Sequence, residues 1–336
     1  MTRALRFCLL LALLLVAGRA AAAAGGEALS LFETPRDKAR PIIDAIGAAR
    51  REVDVEVYEL TDDGVEGALV AAQARNVTVK VILNDRFPGR NGDFKNGTND
   101  KAAARLKAAG AQVQWSSPAF HFTHEKGIIV DSGGPGQEVL IMTMNLSPGY
   151  LGEPDKLGQS LNFGIVDRLP DDVAQVHAMF EDDWERRDYR LPSGSDLVVS
   201  PLNSRRALLA QIRNARRSVH FFEQELQDPE MVAALVAACR RGVEVRGLVA
   251  PNMHGNRESA AAVNAAGGQV RVLARPYEHA KAIISDAAVV SLGSINGSPN
   301  SMDNNRELGI MTWQASIAAQ MESAFAEFWA LGQAFK

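Results

Sequence analysis

Cysteine is almost missing from this chain: two residues in 336, Cys8 and Cys239. Cys8 lies inside an apolar leader, so the remainder carries one thiol and an intrachain disulfide is excluded. Cys239 falls in VAALVAACRRG, an apolar helical pattern that reads as core rather than nucleophile. Neither sign of charge dominates, with 36 Lys and Arg against 40 Asp and Glu. Without the leader's Arg3, Arg6 and Arg19 the balance is 33 against 40, a net charge near −7. That argues weakly against a dedicated nucleic-acid binder, which needs a basic footprint. No stretch after the leader is apolar enough to span a membrane. What is present, 46 % apolar and 23 % charged residues, suits a folded chain with room for two ordinary domains.

The leader itself reads as a secretory signal peptide over residues 1–24. Arg3 and Arg6 form the basic start, FCLLLALLLVAG the apolar stretch, and the alanine run offers A-x-A cleavage sites. Cys8 has no lipobox around it. The expectation is a periplasmic or secreted protein, with an uncleaved N-terminal anchor as the alternative.

The rest of the chain is a repeat. RPIIDAIGAARREVDVEVYEL (40–60) aligns with RALLAQIRNARRSVHFFEQEL (206–226) at an offset of 166. HEKGIIVD (124–131) meets HAKAIISD (279–286) at 155, and Asn145 meets Asn296 at 151. Asn162-Phe-Gly-Ile and Phe180-x-x-x-Trp184 meet Glu307-Leu-Gly-Ile and Phe325-x-x-x-Trp329 at 145. Within each copy, short apolar runs bounded by turn residues alternate with helical patterns, which predicts a sheet with helices on its faces. The expected organisation is a first unit over 25–192 and a second over 193–336. RLPSGSDLVVSP (190–201) is the natural linker, and the units are expected to pack as a pseudo-two-fold pair.

The two copies share a chemistry. Residues i and i+2 of a strand point to the same side, so His124 and Lys126 stand together, as do His279 and Lys281. Between them Glu125 and Ala280 share nothing. Two such pairs meeting across a dyad put two histidines beside an anion site, which suits phosphodiester cleavage. One neutral imidazole attacks phosphorus and forms a phosphohistidine. The other, protonated, serves the leaving alkoxide and then the incoming water or alcohol. The lysines neutralise the developing charge. Asn145 and Asn296, with Thr143 and Ser294, are candidate donors to the same oxygens. A lysine beside each histidine disfavours a bound cation, so neither metal nor cofactor is expected.

HxKxxxxD resembles the signature of the phospholipase D superfamily. The second copy continues it with Gly293-Ser294-x-Asn296 and the later Glu307. The resemblance covers essentially everything after the leader. It implies two tandem phospholipase D-like units, each a mixed β-sheet flanked by helices. It also implies that His124 attacks and His279 is the acid/base, an order the residues alone do not fix. The first copy departs from the pattern, with Met142-Thr143-Met144-Asn145 for Gly-Ser-x-Asn and Asn162 where Glu307 stands. The missing carboxylate is expected to leave one histidine less firmly oriented. Asp131 and Asp286 end strands and could simply cap turns; the resemblance favours orienting the site from behind over a direct catalytic role.

The implied activity is headgroup hydrolysis or transfer on a phospholipid at a membrane surface. No obligatory protein partner is implied and a monomer is expected. A metal-independent endonuclease is the alternative, and a degenerate anion-binding member a third. His121 faces away from His124 on a strand, His177 on an amphipathic helix reads as surface or packing, His220 lies in the strand SVHFFEQEL, and His254 sits in a polar loop that could border the site. Arg86, Arg90 and Lys95 in the loop 84–100 read equally as phosphate contacts or as solvated surface.

Overall fold

The computed structural model describes residues 27–88, 94–95, 97–154 and 159–335, so the leader lies outside the described residues. In chain order the elements of the first half are β1 (Leu29–Thr34), α1 (Arg40–Ala48), β2 (Glu52–Val57), α2 (Asp63–Ala74) and β3 (Thr78–Leu83). There follow β4 (Phe87–Pro88), β5 (Phe94–Lys95), α3 (Asp100–Ala108), β6 (Gln112–Trp115), β7 (Lys126–Val130), β8 (Glu138–Met142), β9 (Ser160–Asp167) and α4 (Pro170–Trp184). The second half begins with β10 (Leu197–Ser200), α5 (Ser204–Asn214), β11 (Ser218–Glu223), α6 (Pro229–Arg240), β12 (Glu244–Val249), α7 (Asn256–Ala265) and β13 (Gln269–Val272). It ends with β14 (Tyr277–Glu278), β15 (Lys281–Ser285), β16 (Val289–Gly293), α8 (Pro299–Asp303), β17 (Glu307–Thr312) and α9 (Ala315–Trp329).

Two main sheets carry the same mixed order, β1-β9-β8-β7-β2-β3-β6 and β10-β17-β16-β15-β11-β12-β13. In each, the helix-connected strands run parallel and the HxK strand enters antiparallel to its neighbour. One core joins the halves: Phe163, Ile165 and Ile141 of the first sheet pack with Phe222, Ile284 and Leu308 of the second and with α4 and α9. The outer faces are covered by α1–α3 on one side and by α5–α7 on the other. The apolar faces of VDVEV and VTVKVIL thus find helices, as their alternation requires.

The linker expectation needs correction. Leu197–Ser200 is a strand at the sheet edge, antiparallel to β17, so only the residues before it connect the halves. Its first-copy counterpart β1, paired with β9, was equally illegible. Both are short edge strands that end at a proline (Pro35, Pro201), a position an edge tolerates and a pattern search discounts.

Candidate active site

Each HxK motif is delivered by a swap between halves. Strand β14, just before His279, pairs in parallel with β9 of the other half, Glu278 opposite Leu161. Thr123, just before His124, bridges Arg306 in the same way. The His124 N–H donates to the Arg306 carbonyl at 2.8 Å and the His279 N–H to the Leu161 carbonyl at 3.3 Å. The histidines therefore sit in extended connections two residues ahead of the first residues of β7 and β15, not inside the strands as the sequence reading had them. Lys126 and Lys281 begin those strands, buried, and each ammonium donates to the carbonyl of its own motif's histidine. Lys281 also donates to Gln224 Oε1 at 3.0 Å.

The next residue after each docking point completes the exchange. Arg306 precedes Glu307, whose carboxylate accepts from His124 Nδ1 at 2.9 Å. Leu161 precedes Asn162, whose Oδ1 lies 2.7 Å from His279 Nδ1. Each histidine is thus oriented by the other copy's residue, and His279 is not left loose by the missing carboxylate. The Asn162 amide is fixed by its surroundings: Nδ2 faces the carbonyls of Tyr150 and Ser160 at 3.4 and 3.5 Å, and Thr143 Oγ1 donates to Oδ1 at 3.2 Å. Around Glu307 the polarity is opposite, with Ser301 Oγ and Asn305 Nδ2 donating to Oε1 at 2.5 and 3.0 Å. Both imidazoles consequently carry their proton on Nδ1 when neutral and present the Nε2 lone pair.

Thr143 and Ser294 do not serve as phosphate donors. Both are fully buried, and their hydroxyls are engaged across the sheet with Asn162 and Phe163 N, and with Leu308 N and O. They brace the strands that carry Asn162 and Glu307. Gly293 has a steric reason: a Cβ there would lie 2.3 Å from Gly309 Cα in the paired strand. In the first copy Met142 stands at the twin position, again opposite a glycine, Gly164. Asn145 and Asn296 are buried with Oδ1 atoms that have no hydrogen-bond partner among the described residues.

Asp131 and Asp286 are also reassigned. They stand past the far ends of the HxK strands, at φ 50° and 56°, a region aspartate tolerates. Asp131 accepts from the N–H groups of Arg50, Arg51 and Glu52, and Asp286 from those of Arg216, Arg217 and Ser218. Each pins the helix-to-strand turn and touches neither histidine. Replacing Asp131 by Ala orphans three backbone donors and is expected to cost about 2–4 kcal/mol. Denaturant unfolding should show that loss while turnover per folded molecule stays near wild type; an intact stability with collapsed turnover would restore a direct role. Burial alone would raise the Asp286 carboxyl, but the Arg217, Ser218 and Arg216 N–H groups hold it below its ordinary value. Its contribution is therefore complete above about pH 3.9 and lost as pH falls through the lower folded-state value.

Electrostatics keep the histidines neutral. Burial pushes the His124 imidazole down to about 4, opposed by Glu307 and reinforced by Lys126 and Lys281. His279 is pushed well below its usual range by burial, then by Lys281, Lys126 and His124, which places the two motifs in one field. Burial lowers Lys281 to about 8 against the pull of Glu223, Glu225 and Glu278. Burial would raise Glu307, yet His124 and Lys126 hold it ionised.

Several neighbours escaped the sequence reading. The Tyr58 ring lies 4.8 Å from His124 and 5.3 Å from the Lys126 ammonium, and the Tyr150 ring 4.2 Å from His279. Asn99 and Asn256 pin the segments after β2 and β11, each accepting from the following leucine N–H, Leu60 or Leu226. Only a repeat alignment with gaps would have found that pair. His121 meets Asn300 at 2.7 Å. His177 pairs with Asp54 and His220 with Glu322, a helix–strand ion pair whose acid and base trade places between copies. Arg86 bonds the Phe120 carbonyl, whereas Arg90 and the Lys95 side chain lie outside the described residues.

Residues 42–184 and 208–329 match the family model described as "Cardiolipin synthase, PLD-like domain". The cardiolipin synthase of Clostridium perfringens (strain 13 / Type A) is 22 % identical over 353 aligned positions, covering 89 % of this chain and 68 % of that protein. Phosphatidylserine synthase of Haemophilus influenzae Rd KW20 superposes with a TM-score of 0.68 at 14 % identity, covering 93 % of this chain and 88 % of the other. Polyphosphate kinase of Porphyromonas gingivalis gives 0.68 at 16 % identity over 89 % of this chain, which spans 46 % of the kinase. At these identities the two structures speak for the fold. The family model, matched twice over most of the described chain, assigns the family: the protein belongs to the phospholipase D-like domain family of cardiolipin synthase, within a superfamily of phosphodiesterases and transferases.

Proposed function

We propose that this chain is an exported phospholipase D-type enzyme that hydrolyses or transfers phospholipid headgroups through a phosphohistidine. The observation that carries the reading is the crossed pairing, His124 with Glu307 at 2.9 Å and His279 with Asn162 at 2.7 Å, with a lysine beside each histidine. A histidine whose Nδ1–H faces a carboxylate is the better nucleophile, because the ring becomes cationic once Nε2 bonds phosphorus. A histidine held by a neutral amide is the better proton donor. These roles coincide with the order that the family resemblance implies.

The chemistry then runs in two displacements. His124 Nε2 attacks phosphorus, the P–O bond to the headgroup breaks, and the leaving alkoxide takes the Nε2 proton of His279. Water or an alcohol then gives a proton to His279 Nε2 and attacks phosphorus, breaking the P–N bond. His279 must enter protonated. An anionic phosphodiester seated against Lys126 and Lys281 supplies the negative charge that raises it. Asn145 and Asn296, buried in the segments that follow β8 and β16, would meet the phosphate through their amide hydrogens.

Export rests on the leader. Among the described residues no helix is long and apolar enough to cross a membrane. The support for a lipid is the family and the acidic body, with net charge near −7 after the leader. The protein lacking residues 1–24, given phosphatidylcholine or phosphatidylglycerol vesicles with ethanol in EDTA, is expected to form phosphatidylethanol. Nicking of plasmid DNA without lipid turnover would replace this reading by the endonuclease one.

A further inference from the structure

The repeat hides one site at which its copies disagree completely. Glu56, Glu125, Asp183 and Arg306 are all at most 3 % exposed, and one carboxylate oxygen from each acid lies within 4.8 Å of the others. The repeat register carries these four onto Phe222, Ala280, Phe328 and Leu161, which are buried together in the shared apolar core. Phe222 and Phe328 stand 6.5 Å apart, edge to face. The fold can therefore close this position with hydrocarbon, as its twin does. Replacing buried ions by well-packed apolar groups is often neutral or stabilising, so stability does not explain the charged version.

Location does. Leu161 and Arg306 are the twin residues whose carbonyls receive the histidine N–H groups and whose successors orient the imidazoles. Where the successor is neutral Asn162, the anchor is apolar. Where it is Glu307, a carboxylate with no exposed surface, the anchor is a guanidinium. Arg306 Nη2 donates to Asp183 Oδ1 at 2.7 Å and its plane covers the Phe120 ring at 4.3 Å, so the side chain is held by one charge and one face. Glu56 and Glu125 flank it, their carboxyls raised by burial first and then by neighbouring acids.

We propose that Arg306, locked by Asp183 and flanked by Glu56 and Glu125, is a positioning residue that clamps Glu307 onto His124 and thereby makes the two histidines unequal. The proposal rests on the reading of His124 as nucleophile and extends it to groups that touch no substrate. One charge-assisted hydrogen bond, with a ring under the guanidinium plane, fixes direction as well as distance. An aliphatic anchor fixes only contact.

The test transplants the twin's residues as a set: Glu56→Phe, Glu125→Ala, Asp183→Phe and Arg306→Leu. A second variant, Asp183→Asn, removes only the charge that locks Arg306 and changes shape little. The first readout needs no substrate: the Nδ1–H resonance of His124, with that of His279 as internal control. In either folded variant the His124 signal is expected to shift or broaden while His279 is unmoved. With bis(p-nitrophenyl) phosphate, kcat is expected to fall about tenfold or more with KM within about twofold, the mark of lost alignment. Wild-type His124 resonance and kcat in Asp183→Asn, or in the fourfold variant, overturn the proposal. Should wild type turn over no phosphodiester, the functional reading fails while the resonance still decides the clamp.

Discussion

His124→Ala is expected to abolish turnover and covalent labelling together, whereas His279→Ala is expected to lose lipid turnover yet still become phosphorylated by an activated substrate. The difference follows from what each imidazole does. Without the His124 ring no group stands ready to bond phosphorus, and the loss should be at least about 10⁴-fold on any substrate. His279 is needed only where a proton must move. A headgroup alkoxide is a poor leaving group and loses about 10²–10⁴-fold without its acid. p-Nitrophenolate leaves unaided, so His279→Ala should show a stoichiometric burst followed by a stalled phosphohistidine, since the same ring activates water. Rapid-quench kinetics and mass spectrometry of the peptide containing His124 check both halves. A burst in His124→Ala with none in His279→Ala would reverse the assignment.

The neutrality of the His124 ring fits its part in that division. A nucleophilic imidazole pushed down to about 4 is unprotonated at any ordinary pH.

The sequence carried the repeat, the two HxK pairs and the mixed sheet because these are written as registered side chains and period-two runs. Less legible was which copy serves which. Asn162 looked like a lost acid because a linear alignment compares it with Glu307. In space it faces His279, where the Tyr150 and Ser160 carbonyls demand a donor and an acid would meet two lone pairs. Thr143 and Ser294 looked like phosphate donors for the same reason. Their hydroxyls prove to be spent inside the sheet, a fact set by strand register rather than residue type. Asp131 and Asp286 belonged to the motif as letters, yet five strand residues separate them from the chemistry. The polar cluster around Arg306 is assembled from β2, α4, the segment before β7 and the turn before β17, so no local pattern announces it.

Glu307→Gln should then be the most damaging substitution of a residue that does not itself react. The carboxylate accepts from His124, Ser301 and Asn305, and Ser294 assists in holding it ionised. Gln preserves size and can still accept at Nδ1, so folding and substrate binding should survive. What disappears is the negative charge beside a ring that turns cationic on phosphorylation, and kcat should fall about 10²–10⁴-fold with KM little changed. The mirror substitution, Asn162→Asp, acts differently. It turns an amide donor into a carboxylate facing two carbonyls, costing about 1–3 kcal/mol of stability, which thermal unfolding would detect. Two near-equal losses of kcat would mean that the histidines share one role. A dominant loss at Glu307 means that the donors gathered round it, and the acceptors gathered round Asn162, are what divide the labour between two otherwise repeated halves.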